Sequence, residues 1–497
     1  LKELSLAIIT YSRLDIEKYG IYRCIEEPDY KVLLLAYKVD EEDICIVDIY
    51  KREKLPKRII KAINDERVTK YTYGFEYERV IISDFLKLCE NNNINNWKST
   101  WYLASYVGLQ NTLEGLCELF NVYIPTNSLQ YYKKLLDSFA CVNLYLNVWD
   151  DLKKYCIWMI EAEKQIRDIL NELLDCDEAS YYENVRLLVA NQRVEINRNR
   201  LEEKLKLQKN IGINICSKYN ILSFNYAKNS NFANYCKFLH INYRLRRVLE
   251  YEYKILDWWS KSNNCYRDVN FCEIDLKIPE MLYNVTEVNK DYSLCLLDYR
   301  KMKYVIICWL ANSVSQHTQS LYSSKITEAC MYGSGINGIV ERKAINSYSL
   351  IKLNQYLNEW NISNSKIIYF WDRLKRAIKF AVLTKGKCEC NKLNISGSNK
   401  LLIITLPSGR KLVYPNEQNS DIECIFRDIV KGIMSDLVMY TVAYLENFKI
   451  DVLAFSKEQI LIKVNNEYLS TINIISNTLP IWAKELDSSK ILKKYKE

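Results

Sequence analysis

Residues 4–37 read LSLAIITYSRLDIEKYGIYRCIEEPDYKVLLLAY, and this stretch decides the fold. Leu4 to Tyr11 and Lys31 to Tyr37 are apolar, β-branched runs of strand length, separated by the turn-forming Glu26-Glu27-Pro28-Asp29. A third run, Ile44 to Ile49, follows closely. Three strands in succession predict the opening meander of a mixed sheet. From Lys57 to Leu174 the pattern becomes mainly helical, with apolar residues at helical spacing in Ile82 to Leu88, Leu113 to Phe120 and Leu152 to Leu174. Strands followed by covering helices imply an α/β first domain.

Ser180 to about Ser260 is almost entirely helix-compatible, interrupted by polar turns at Asn191 and Asn229-Ser230-Asn231, and reads as a helical connector. Strand runs return at Ser293 to Leu297, Leu401 to Leu406 and Val452 to Phe455, interleaved with helices predicted over Lys366 to Val382 and Cys424 to Glu446. A second α/β or α+β domain follows from that alternation. A length of 497 residues agrees, since about one domain per ~150 residues gives roughly three.

Composition narrows the chemistry. Apolar residues at 49% and charged residues at 26% are those of a packed globular chain. Two histidines, His240 and His317, leave almost no material for a His-rich metal site or a Ser/His/Asp triad. The 17 cysteines are scattered singly apart from Cys388 and Cys390, which argues for reduced thiols rather than a disulfide framework, and a turn with two free thiols is expected at that pair. No charged n-region precedes an apolar core at Leu1, and no run approaches ~18 apolar residues, so neither secretion nor membrane spanning is expected. The net charge of +8 permits an anionic partner, and the surplus of Tyr (39) over Phe (13) offers rings that could stack on bases.

Thr10-Tyr11-Ser12, Asp15-Ile16, Gly20-Ile21-Tyr22-Arg23, Glu27-Pro28-Asp29-Tyr30 and Leu33 to Tyr37 together resemble the N-terminus of phage-type family A DNA polymerases. Further segments follow in that family's order: Tyr77-Glu78-Arg79, Tyr155-Cys156 with Glu161 and Glu163, Leu294 to Ala311, Phe370-Trp371, and Leu406 to Pro415. The resemblance implies an α/β multidomain chain in which an RNase H-like 3′-5′ exonuclease domain (1–175) is followed by a helical, thumb-like region (176–285). A palm (286–497) then carries shortened fingers at about 316–385. It also implies DNA, in primer-template form, as partner, with replication proteins beside it, and a cytoplasmic place in a bacterial host.

Both activities of that family are two-metal phosphoryl transfers, which need carboxylates to clamp the cations. Where the family's first strand carries Asp-x-Glu, this chain has Ala7 and Ile9, and Met159 stands at the Asp of the third exonuclease motif. Neither alkyl groups nor a thioether suit a hard cation. Glu76 or Glu78 remains near the second motif. In the polymerase part Asp298 matches the first palm carboxylate, and Lys303 and Val305 fall on the Glu and Arg that follow it. Ser456-Lys457-Glu458 aligns with the family's His-Asp-Glu turn, which puts Lys457 where a metal-binding Asp is expected. Lys325 fits the fingers Lys that meets the triphosphate, Leu321 replaces an Arg one turn earlier, and Tyr332 fits the nucleotide-binding Tyr with its order relative to Gly333 inverted.

Two readings remain at the level of sequence. One is a non-catalytic member of the family that binds primer-template DNA or replication partners, with no cofactor expected. The other is a divergent, active DNA-directed DNA polymerase without proofreading, using Asp298 and Glu458 with Mg²⁺.

Overall fold

The computed structural model describes residues 2–14, 21–87, 96–109, 112–127, 146–174, 278–286, 288–313, 330–332, 350–415, 422–448 and 450–496, with short pieces between 194 and 206 and at 265–266. The helical connector expected over 180–260, the two histidines, Lys325, Leu321 and Gly333 fall outside these residues or almost entirely so. By internal contacts the chain divides into two units, the first containing the described residues as far as 174 plus Arg410–Pro415, the second the rest.

The first unit is built on a five-stranded sheet in the order β3-β2-β1-β4-β5, formed by β1 (Glu3–Tyr11), β2 (Lys31–Val39), β3 (Cys45–Asp48), β4 (Thr69–Thr72) and β5 (Trp97–Ser99). β1, β2 and β3 are antiparallel neighbours, whereas β4 runs parallel to β1 and β5 parallel to β4. The helices are α1 (Ile21–Ile25), α2 (Lys57–Asn64), α3 (Phe75–Phe85), α4 (Thr100–Tyr106), α5 (Leu113–Phe120) and α6 (Leu146–Leu173). β4 and β5, only four and three residues long, lie inside the stretch that the sequence pattern predicts as mainly helical.

Alternation along β1 sorts its side chains between two covers. Leu4, Leu6 and Ile8 join Ile59, Ile63, Ile81 and Ile82 of α2 and α3 in one core. Ala7 and Ile9 therefore belong to the opposite face, and α6 packs on β1 and β2 there, its Cys156 thiol 3.9 Å from the carbonyl of Ala7. A strand covered on both faces reads as a continuous apolar run, which explains the legibility of β1 and β2.

The second unit begins with an antiparallel two-residue pair, β6 (Val194–Glu195) and β7 (Cys265–Tyr266), followed by α7 (Ile278–Val285). Then come β8 (Tyr292–Asp298), α8 (Met302–Leu310), α9 (Leu350–Ser363) and α10 (Ser365–Thr384). β9 (Lys387–Cys390), β10 (Leu393–Gly397) and β11 (Leu401–Thr405) form an antiparallel meander. Cys388 and Cys390 thus lie in a strand, where sequence predicts a turn; both thiols are free. β12 (Lys411–Pro415) counts with the first unit, where the Val413 N–H donates to the Val107 carbonyl at 2.8 Å. The chain continues through α11 (Ile422–Asn447), β13 (Asp451–Phe455), β14 (Gln459–Asn465), α12 (Leu469–Asn477) and β15 (Leu492–Lys496).

A four-stranded antiparallel sheet, ordered β13-β14-β8-β15, organises this unit. β8 is central, so its ladder groups are paired on both sides and its apolar side chains are buried. The longest described helix of the unit, α11, packs on β13 and β14, and the buried Tyr299 hydroxyl, just past β8, bonds Thr441 of α11 at 2.7 Å. Leu294 to Asp298 and Leu4 to Tyr11 therefore belong to separate sheets.

One glycine is required by a close approach. A Cβ on Gly397, at the end of β10, would lie 2.1 Å from the carbonyl oxygen of Ala381 in α10. Such an overlap forces strand and helix apart. Gly397→Ala is expected to destabilise the protein by about 2 kcal/mol or more, whereas Gly409→Asn, at a positive φ with nothing within 4 Å, should cost far less. Chemical denaturation of the two variants checks this ordering.

Candidate functional site

At the end of β8, Asp298 has no exposed surface and lies opposite Gln459 of β14 and Leu492 of β15. The neighbouring loop is a tight β13-β14 connection. Ser456 N–H donates to the Gln459 carbonyl at 2.8 Å, and the Ser456 hydroxyl accepts from the N–H groups of Glu458 and Gln459 at 3.3 and 3.2 Å. Tyr299 N–H donates to the Glu458 carbonyl at 2.8 Å, which fixes the loop beside the end of β8. The fold thus brings Asp298 and Glu458 to one end of one sheet, with Lys457 exposed at the loop tip.

Protein cations hold these carboxylates. Arg300 Nε lies 2.9 Å from each oxygen of Asp298, its Nη2 bonds Oδ2, and its backbone N–H donates to Oδ1 at 3.0 Å. Burial by itself raises the Asp298 pKa, but the bonds from Arg300 outweigh it and hold the carboxyl below its ordinary value; the same pair raises the Arg300 pKa. Gln459 Nε2 adds a contact at 3.3 Å. Arg300 also approaches Glu280 of α7 at 3.7 Å, and Lys494 of β15 reaches that carboxylate at 3.4 Å. Lys303 Nζ sits 2.5 Å from Glu458 Oε1. Asp298, Glu280 and Glu458 are therefore met by Arg300, Lys303 and Lys494, with Lys457 beside them. Among the described residues no group of three or more His, Cys, Asp or Glu is arranged to hold a metal ion.

Arg300, Glu280 and Lys494 were not marked by sequence. An Arg two residues beyond a strand-end Asp carries a local signal, since that spacing lets the side chain fold back; Glu280 and Lys494 come from distant elements. Tyr332 is buried, 3% exposed.

In the first unit, Ala7 and Ile9 are buried at 3% and 4% exposure and Met159 is half-buried. A second, unexpected polar cluster lies nearby in sequence. Two turns beyond Cys156 on α6, Glu163 is buried, accepting from the Thr100 hydroxyl at 2.5 Å and from Arg167 Nε at 3.1 Å. The Arg167 guanidinium stacks 3.6 Å from the Tyr71 ring centroid. Glu78, in the first turns of α3, is also buried and reaches back to the Gly74 N–H at 3.4 Å. The Oε2 atoms of Glu78 and Glu163 have no hydrogen-bond partner. Burial, reinforced by the charge of Glu163, pushes Glu78 up to about 7; burial also raises Glu163, against the pull of Arg167.

No protein-family model matches the chain. A DNA polymerase of Bacillus phage SP02 is 27% identical over 187 residues, which are 35% of this chain and 28% of the phage protein. The polymerase domain of Pol1 from M. smegmatis, solved in complex with DNA primer-template and dNTP, superposes with a TM-score of 0.54 at 10% identity, covering 99% of this chain and 95% of that one. The fold is that of a DNA polymerase domain. The chain therefore resembles DNA polymerases in fold along nearly its whole length and in sequence over about a third of it. No helix among the described residues is long and apolar enough to cross a membrane.

The raised pKa of Glu78 has a sign that can be tested. Unfolded, Glu78 ionises near its ordinary 4.5; folded, it ionises at about 7. Between these values the folded state keeps a proton that the unfolded state has lost, so this residue makes stability fall as pH rises from about 4.5 to about 7, then level off. Glu78→Gln should gain roughly 3 kcal/mol over the unmodified chain at pH 8 and little at pH 4.5, read by urea unfolding at both pH values.

Proposed function

We propose that this protein is a DNA polymerase relative that binds primer-template DNA without joining nucleotides. Its first unit is read as an RNase H-like exonuclease-derived domain, and its second as a palm with thumb-like helices before it and shortened fingers within it. The strand order β3-β2-β1-β4-β5, three antiparallel and two parallel, supports the first assignment. The antiparallel sheet with Asp298 at a strand end beside a hairpin loop supports the second. The sequence-derived boundaries, 1–175, 176–285 and 286–497, are retained as part of the proposal.

One observation carries the non-catalytic reading: Asp298 is engaged at both oxygens by Arg300, and Glu458 by Lys303. A two-metal nucleotidyl transfer needs free carboxylate oxygens facing cations about 3.5–4 Å apart. Here Mg²⁺ would have to displace a guanidinium already bonded at both oxygens and enter beside Lys303 and Lys457, whose charges repel it. The residues present do not fit the metal pair of the polymerases that this chain resembles. Ala7, Ile9 and Met159 likewise offer no oxygen donor where the exonuclease motifs place them, leaving Glu78 without its partners.

Primer extension tests the reading. The unmodified chain is expected to add no nucleotides with Mg²⁺ or Mn²⁺, while retaining primer-template binding whose affinity falls as salt rises. Each tenfold of rate is about 1.4 kcal/mol of barrier, so loss of metal charge at the reacting phosphate leaves no useful turnover. Extension by the unmodified chain that Asp298→Ala abolishes would instead establish the active-polymerase reading, with Glu458 as the second ligand.

A further inference from the structure

α10 buries one stripe, Ile367, Phe370, Trp371, Leu374, Ile378 and Ala381, which packs on the β9-β10-β11 meander. Its outer face is unlike that of an ordinary solvated helix. At 100° per residue, Tyr369, Asp372, Arg376, Lys379, Phe380 and Leu383 fall together on the side away from that stripe, and all are exposed. Lys366, Arg373 and Lys375 flank them, and Lys385 and Lys387 continue the basic run past the helix end. Asp372 is the sole acidic residue in α10.

Among the described residues, no carboxylate neutralises these charges. Arg373 bonds the Asn391 side-chain oxygen at 3.0 Å and Arg376 the Asp372 carbonyl at 3.4 Å. Among the described residues none of the helix's five cations forms an ion pair. Arg373 and Arg376, Arg376 and Lys379, and Lys375 and Lys379 are like-charge neighbours three or four residues apart, a spacing that costs a helix a few tenths of a kcal/mol per pair. Their helix-end position explains Lys385 and Lys387; it does not explain cations in mid-helix. Tyr369 and Phe380 stand among them at 61% and 52% exposure.

We propose that the outer face of α10 is a binding surface for single-stranded nucleic acid, its cations tracking the phosphates and Tyr369 and Phe380 stacking on bases. Charge complementarity selects a polyanion. The exposed rings select a single strand, because bases inside a duplex have no free face to offer. The two rings are eleven residues apart, about 16 Å along the helix axis, which suits two bases separated along one strand. The inference deepens the DNA-binding reading above and rests on it only for the kind of polymer bound.

The test measures binding of a fluorescent oligo-dT strand and, separately, of a blunt-ended DNA duplex, across a salt series. Arg376→Ala with Lys379→Ala should lower the slope of log affinity against log salt by about 1.4 for oligo-dT, at ~0.7 per lost phosphate contact. Tyr369→Ala with Phe380→Ala should weaken oligo-dT binding about tenfold or more while leaving the slope unchanged, with duplex binding unaffected. Alanine at exposed helical positions preserves the fold, and circular dichroism verifies it. Oligo-dT binding indifferent to both pairs, or absent from the folded unmodified chain, overturns the assignment to α10. Duplex binding then reports separately on the broader DNA-binding reading.

Discussion

A carboxylate with no exposed surface must be neutralised where it stands, and in the second unit that constraint falls on Asp298. The residue closes β8, the central strand, so the ladders to β14 and β15 fix its position before any side chain is considered. Arg300 answers the charge from two residues away and extends it to Glu280, while Lys303 performs the same office for Glu458. Solvent, a metal pair or a protein cation could each satisfy such a group. Having the cation supplied by the chain makes the sheet end self-sufficient, its carboxylates balanced by side chains of the same sheet end. Removing Arg300 would leave an unpaired buried charge, a penalty larger than the net worth of the pair.

The first unit reaches a similar end differently. The face of β1 that carries Ala7 and Ile9 is sealed by α6, with Cys156 against the Ala7 carbonyl, and apolar side chains simply fill the space. Polar chemistry survives beside it in Glu78 and Glu163, held by Thr100, Gly74 and Arg167. Burial away from water, with a smaller push from the charge of Glu163, favours retention of a proton, which is why Glu78 resists ionisation. In both units, then, the side chains that the family motifs single out are packed or paired within the protein.

Much of this was legible from residues alone, for physical reasons specific to each element. β1 and β2 announce themselves because strands covered on both faces are continuously apolar, and α10 and α11 because their buried stripes recur at helical spacing. β4 and β5 were hidden: Thr69-Lys70-Tyr71-Thr72 and Trp97-Lys98-Ser99 are too short and too polar to show a period. β15 was missed because Leu492-Lys493-Lys494-Tyr495-Lys496 reads as a basic tail, a composition that also suits an edge strand. At the site, Asp298, Lys457 and Glu458 could be placed by motif. The pairing of Glu458 with Lys303, and of Glu163 with Thr100 sixty-three residues away, depends on tertiary contacts that no local pattern encodes.

The claim that protein cations stand where metal ions act in polymerases is tested most directly by titrating the intact chain with Mn²⁺ and following free ion by electron paramagnetic resonance. The account predicts no stoichiometric binding that depends on Asp298, so the unmodified chain and Asp298→Asn should give superimposable curves. One or two Mn²⁺ ions bound by the unmodified chain and lost in Asp298→Asn, with the variant still folded, would contradict it.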